Sequence, residues 1–220
     1  MADELVFYTN PMSRGRIVRW MLEEVGEPYR TELLDFGTTM KAPDYLAINP
    51  MGKVPALVHR GSVVTEAAAI CAYLADAFPQ AGLAPPQADR LRGPYYRWLF
   101  FAAGPLEAAV TNRAFGFEVP QEREGMAGYG NFAKVLDVLE GAVLQGDYIL
   151  GDRFSAADVY LGSHVGWGMQ FGTIEKRPAF QRYWQRIGDR PAARRATEID
   201  DALVSKEQQL SPARDLLPSS

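Results

Sequence analysis

The order of patterns along the 220 residues predicts an α/β domain at residues 1–79, a linker at 80–88 and an all-α helical domain at 89–220. Three observations carry that reading. A β-rich run, an amphipathic helical run and a second β-rich run succeed one another within residues 5–34, the order of a right-handed parallel crossover. Two further short β runs, the first led by Val54-Pro55 and both joined at Arg60-Gly61, read as an antiparallel hairpin. Beyond a stretch rich in proline, glycine and alanine, the apolar residues take up helical spacing.

In chain order, Leu5-Val6-Phe7-Tyr8 is the opening strand and Thr9-Asn10-Pro11 its turn. Ser13 is placed to cap a helix whose residues Ile17, Val18, Met21, Leu22 and Val25 share one face, with Arg16, Arg19 and Glu23 opposite and Gly26 as its stop. Tyr29 to Leu34 supplies the second strand and Pro43 to Ile48 a short helix. The hairpin follows, and the alanine-rich run Ala67 to Phe78 closes the domain before Pro79. In the second domain a long helix is expected from Ala88 to Arg113, bent at Pro94 and Gly104-Pro105, and another from Glu122 to Gln145. Ser155-Ala156-Ala157-Asp158 is a capping-box pattern opening a buried helix. Shorter helices are expected at 178–188 and 191–204, and a loose end at 211–220.

The composition, 47% hydrophobic and 23% charged, is that of a globular chain with a sizeable core. A formal net charge of −4 argues against a nucleic-acid surface, with Arg190, Arg194 and Arg195 the one local basic group to set against it. The single cysteine, Cys71, forms no internal disulfide, and His59 and His164 lie too far apart for a zinc spacing. A cytoplasmic protein with no metal and no membrane segment is expected. Its chemistry then falls to hydroxyls, carboxylates and backbone groups.

Pro55 donates no backbone hydrogen bond, so the strand it leads starts at an edge or an entry. It either closes a loop as a trans proline or turns the Val54 peptide outward as a cis one, leaving that N–H and C=O to pair with something extended. The order βαβ, short helix, proline-led ββα is that of the thioredoxin-like fold. Val54-Pro55-Ala56-Leu57 followed by Val64-Thr65-Glu66-Ala67-Ala68-Ala69-Ile70 resembles the glutathione-binding half of the cytosolic glutathione transferases, and the later helices match as well. The resemblance implies a cis Val54-Pro55, glutathione as co-substrate and a homodimer.

Glutathione presents an extended centre, a zwitterionic γ-glutamyl end, a glycine carboxylate and a thiol. By the resemblance, Val54 pairs with the cysteinyl backbone beside Pro55. Glu66 takes the γ-glutamyl ammonium, and the helix start at Ala67 takes the γ-glutamyl carboxylate. Lys53 and Lys41 face the glycine carboxylate. Taken singly, Glu66 complements a helix dipole and Lys53 solvates a loop; it is their joint spacing that suggests a site. Many family members carry serine where this chain has Ala67, which removes one hydrogen bond, about 0.5 to 1.5 kcal/mol.

A free thiol with a pKa near 8.5 is only about 3% ionised at pH 7, so the family lowers that pKa with a donor placed just after the first strand. Ser13, in Pro11-Met12-Ser13-Arg14, is similar to the donor of the serine-type members, and a helix cap is its other role; Asn10 and Tyr8 are the alternatives. Met12, Phe101, Phe115 and Trp167 are expected to line the apolar pocket for a second substrate. The implied function is conjugation of glutathione thiolate to electrophilic small molecules. Glutathione-dependent reduction or isomerisation uses the same thiolate, and a non-enzymatic interaction protein on the same fold is the rival.

Overall fold

The computed structural model describes residues 4–210, with side chains to residue 204. The expected loose end at 211–220 lies outside the described residues. The first domain runs β1 (Leu5–Thr9), α1 (Gly15–Val25), β2 (Tyr29–Leu33), a 3-10 turn at Thr39–Lys41, α2 (Pro43–Leu46), β3 (Ala56–His59), β4 (Ser62–Thr65) and α3 (Ala67–Ala77). The sheet order is β2-β1-β3-β4, with β1 parallel to β2 and antiparallel to β3. Both strand partners of Phe7 and Leu57 are thus in place, and their side chains, with Ile17, Met21, Ile70 and Leu74 of α1 and α3, are buried in the core.

The start of α1 is set by close approach. A Cβ on Gly15 would overlap Thr9 Oγ1 at the end of β1, so only glycine lets the helix begin so near the strand. Arg14 occupies the N-cap, with no side-chain cap, and Ser13 instead accepts a hydrogen bond from Gly15 N–H at 2.9 Å from one residue further out.

The second domain comprises α4 (Arg92–Phe101), a π-helical turn (Ala102–Leu106), α5 (Glu107–Ala114), a 3-10 turn (Gln121–Met126), α6 (Phe132–Val143), α7 (Ala156–Phe171), α8 (Pro178–Gly188) and α9 (Pro191–Leu210). The expected bend at Gly104-Pro105 is the π turn, where the missing proline N–H is absorbed by a wider register. Pro94 causes no bend, because it sits in the first turn of α4, where a helical N–H has no partner to lose. The helix expected from Glu122 begins only at Phe132, capped by Asn131, whose side chain accepts from Lys134 N–H at 2.8 Å.

The segment expected as a linker is anchored: Leu83 is buried, and its carbonyl accepts from Ala156 N–H at 2.8 Å at the head of α7. A single apolar cluster runs through both domains, from Phe7 and Leu74 to Leu136 and Leu161. Arg19, expected on the polar face of α1, is 1% exposed and pairs with Asp200 of α9 at 2.8 Å. Its guanidinium also lies 5.1 Å from the centre of the Phe7 ring. The C-terminal helix covers the face of α1 that the pattern left to water.

Arg190 is bound to Glu24 at 2.7 Å and Arg195 to Glu23 at 3.3 Å, so two of the three candidate basic residues are matched by carboxylates of α1. Among the described residues no helix is long and apolar enough to cross a membrane.

Candidate active site

Val54-Pro55 is cis. The pairing of β3 with β1 and β4 ends at Ala56, and among the described residues no backbone hydrogen bond engages the N–H or C=O of Val54. The loop before it is pinned from below. Tyr45 hydroxyl and Asn49 Nδ2 both donate to the Lys53 carbonyl, at 2.6 and 2.7 Å, and Lys41 Nζ donates to the Gly52 carbonyl at 2.6 Å. Gly52 takes φ +56°, and a Cβ there would lie 2.9 Å from Lys41 Nζ and 3.0 Å from the Met40 carbonyl. A rigid loop thus presents an unpaired peptide edge to the cleft between the domains.

Two chambers open on either side of that edge. One, about 870 Å³, is lined by Met12, Ser13, Arg16, Phe36, Lys41, Trp167, Phe171 and their neighbours. The other, about 520 Å³, is lined by Glu66, Ala67, Ala68, Tyr96, Phe100, Glu107 and Tyr160 among others. Arg14, Lys53 and Val54 border both.

Glu66 stands at the N-cap of α3 with φ +65°, a conformation rare for a residue with a side chain, and makes no side-chain cap hydrogen bond. The first N–H groups of α3 therefore face the second chamber with no carboxylate or hydroxyl of their own chain upon them. Lys41 lines the first chamber alone, and Lys53 borders both. From one end of the Val54 peptide to the other, the cleft offers an anion, a helix start, a peptide edge and two ammonium groups. That order is complementary to a short zwitterionic peptide with a terminal carboxylate.

The candidate thiol activators fare differently. Ser13 lines the first chamber, but its hydroxyl proton goes to the Asn10 carbonyl at 2.6 Å while its oxygen accepts from Gly15 N–H. Asn10 is buried, its amide donating to the Leu34 carbonyl at 2.8 Å and its oxygen accepting from Met12 N–H at 2.9 Å, so it holds the loop shape and reaches neither chamber. Tyr8 is fixed within β1 against Tyr45, ring centres 5.6 Å apart, and also lines neither.

For the second pocket, Met12 and Trp167 do line the first chamber. Phe101 does not: it turns back to pack edge-on against Trp98 at 5.3 Å. Phe115, 78% exposed beyond the end of α5, does not either. Phe36 and Phe171 line that chamber as well. Phe171 stands at the C-terminal end of α7, and Phe36 lies in a loop with no periodicity to place it.

Sequence reasoning also missed Arg14, Glu107 and His164. Arg14 pairs with Glu107 of α5 across the cleft. Glu107 Oε2 lies 3.6 Å from His164 Nδ1. His164 lies half-buried on α7, and its Nε2 is buried with no hydrogen-bond partner. Burial, with the Arg14 charge adding to it, lowers the imidazole pKa to about 4, so His164 is neutral at neutral pH. Among the described residues no group of His, Cys, Asp and Glu is gathered to hold a metal.

This geometry has counterparts. Residues 12–77 match the family model of the glutathione S-transferase N-terminal domain and residues 107–186 that of the C-terminal domain. A glutathione S-transferase of Escherichia coli O157:H7 is 32% identical over 165 residues, 74% of this chain and 78% of that one. Among solved structures, a glutathione transferase from Methylococcus capsulatus superposes with a TM-score of 0.74 at 32% identity, covering 90% of this chain and 99% of the other. A sphingomonad glutathione S-transferase complexed with glutathione gives 0.73 at 29% identity, covering 89% and 98%. With both domains matched and the peptide edge, helix start and cations set along one cleft, the chain belongs to the glutathione S-transferase family.

Proposed function

We propose that this protein is a glutathione transferase in which glutathione lies along the Val54 edge and its thiolate attacks an electrophilic, partly apolar small molecule. The observation that carries the reading is the unpaired Val54 peptide, flanked by the uncapped start of α3 on one side and by Lys41 and Lys53 on the other. The cysteinyl N–H and C=O pair with Val54 beside Pro55. Glu66 takes the γ-glutamyl ammonium, and the N–H groups from Ala67 onward take the adjacent carboxylate. Lys53, with Lys41 behind it, takes the glycine carboxylate. The sulfur then sits at the boundary of the two chambers, and the electrophile enters against Met12, Phe36, Trp167 and Phe171. The protein's contribution is to ionise and hold the nucleophile beside its target.

The same reading makes the protein a cytoplasmic homodimer. Met51, Tyr96 and Phe100, all exposed and all on the wall of the second chamber, form an apolar rim that a two-fold copy would cover. Light scattering of Phe100→Asp against the parent chain tests this, a monomer in the parent contradicting it.

Equilibrium calorimetry with glutathione, followed by conjugation of 1-chloro-2,4-dinitrobenzene, tests the reading itself. Saturable 1:1 binding per chain with turnover above the uncatalysed rate is expected. Binding without turnover toward electrophiles, disulfides or peroxides would instead favour the interaction protein, and absence of binding would remove the reading.

A further inference from the structure

The family resemblance implies a thiol activator among Ser13, Asn10 and Tyr8, yet the structure engages or holds away each of those groups. Ser13 gives its only proton to the Asn10 carbonyl, Asn10 gives its amide to Leu34, and Tyr8 is held away from both chambers. Ionised sulfur needs a positive charge or several donors near it. The residues that border both chambers are the place to look, because the Val54 peptide sets the cysteinyl unit there. They are Arg14, Lys53 and Val54 itself. Lys53 is already taken by the glycine carboxylate in the reading above, which leaves the guanidinium of Arg14.

Arg14 is not a loose surface cation. It sits at the N-cap of α1, directly after Ser13, and its side chain is tied to Glu107 on the opposite wall of the cleft. One nitrogen serves that carboxylate, and a guanidinium carries further N–H donors in a fixed fork. Behind Glu107 stands neutral His164, with Tyr160 against its ring at 4.8 Å, so the carboxylate is backed by packed side chains of α7. A group from the second domain thereby fixes a cation that the first domain supplies.

We propose that Arg14 is the catalytic residue that stabilises the glutathione thiolate, and that Glu107 is the positioning residue that holds it over the boundary between the chambers. The proposal rests on the glutathione reading above. On binding, the thiol proton leaves to solvent and the sulfur keeps its electron pair beside the guanidinium. In the transfer that follows, a sulfur–carbon bond forms and the electrophile's leaving group departs with its own pair. Ser13 shapes the loop and is secondary.

The test is the pH titration of the ultraviolet thiolate absorbance of bound glutathione, run with calorimetry on the same proteins. Arg14→Gln is expected to bind glutathione within a few-fold of the parent while its thiol titrates about 1 to 2 pH units higher, so that turnover at pH 7 falls roughly ten- to hundred-fold and recovers as pH rises. Arg14→Lys keeps most of the shift. Glu107→Gln moves the titration in the same direction by less, and Ser13→Ala moves it less than Arg14→Gln does. If Arg14→Gln binds glutathione and titrates with the parent, or if Ser13→Ala gives the larger shift, the assignment to Arg14 is overturned and the glutathione site stands. If the parent chain binds no glutathione, the site itself is overturned, and the assignment with it. A thermal melt of each variant separates loss of fold from loss of activation, since a misfolded variant has no bound thiol to titrate.

Discussion

Asp158 in the first turn of α7 and Glu66 before α3 are both acidic residues at helix starts, and the chain treats them in opposite ways. Asp158 is fully buried and accepts from Ile149 N–H, Ser155 N–H, the Ser155 hydroxyl and the Tyr183 hydroxyl, all between 2.8 and 3.1 Å. Every lone-pair direction is met by the protein itself. Glu66 is left with φ +65°, no cap hydrogen bond and a chamber in front of it. The same anion at the same kind of helix end is structural where the chain closes on it, and available to a ligand where the chain holds it open.

The largest effect expected from this comparison is at the closed end. Asp158→Ala would leave buried donors of Ile149, Ser155 and Tyr183 unpaired and should cost about 4 kcal/mol in urea unfolding. Glutathione affinity of the molecules that remain folded should be unchanged. A loss below about 1 kcal/mol would show that water replaces the carboxylate there.

Next is the pH dependence, in which two buried groups pull in opposite senses. His164 has its pKa lowered from 6.5 to about 4 by burial, so the unfolded chain takes up a proton first as pH falls, and stability from this group is lost progressively from about pH 6.5 toward 4. Its limit is about 3 kcal/mol. Asp158 has its pKa raised to about 6 by burial, so the folded chain takes up that proton first and recovers stability as pH falls through 6. Removing the first titration with His164→Gln should therefore leave stability flatter, or rising, between pH 6.5 and 4 compared with the parent. Parallel curves would show that His164 is not held neutral by the fold.

The smallest stability effect is expected at the open end, where binding should change instead. Glu66→Gly relieves a backbone conformation that costs a side-chain-bearing residue on the order of 1 to 3 kcal/mol, less the entropy of glycine, and should raise the unfolding free energy by about 1 kcal/mol. Glu66→Gln keeps the backbone and should move stability by less than about 0.5 kcal/mol. Both should weaken glutathione binding about ten-fold or more, the worth of a hydrogen bond to a charged group. Variants that melt higher and bind worse would mark Glu66 as a binding residue; equal binding would make the open helix start a structural accident.

The first domain was legible because its signals are local. Strand runs, the Arg60-Gly61 turn and the proline before Ala56 each act within a few residues, and so does the capping box at Ser155 and Asp158. The partners that decided the rest lie far apart in sequence. Arg19 was read as solvent-facing because its carboxylate, Asp200, is 181 positions away on α9. Arg14 went unmarked because Glu107 is 93 positions away on the other wall. Ser13 shows the converse limit: its type and place suit a thiol donor, but a 2.6 Å bond to a carbonyl three residues back decides where its proton points. Phe101 was expected in the chamber because aromatic content gives no direction to a side chain, and only its packing on Trp98 turns it away.

A crystal structure of the protein with glutathione tests the central claim most directly, that the chain leaves the Val54 edge and the Glu66 helix start open for this ligand. The account predicts the cysteinyl N–H and C=O within about 3.2 Å of the Val54 backbone, the γ-glutamyl ammonium on Glu66 and the sulfur at the boundary bordered by Arg14. Glutathione bound elsewhere, or bound in the cleft with the Val54 peptide unpaired, would contradict it.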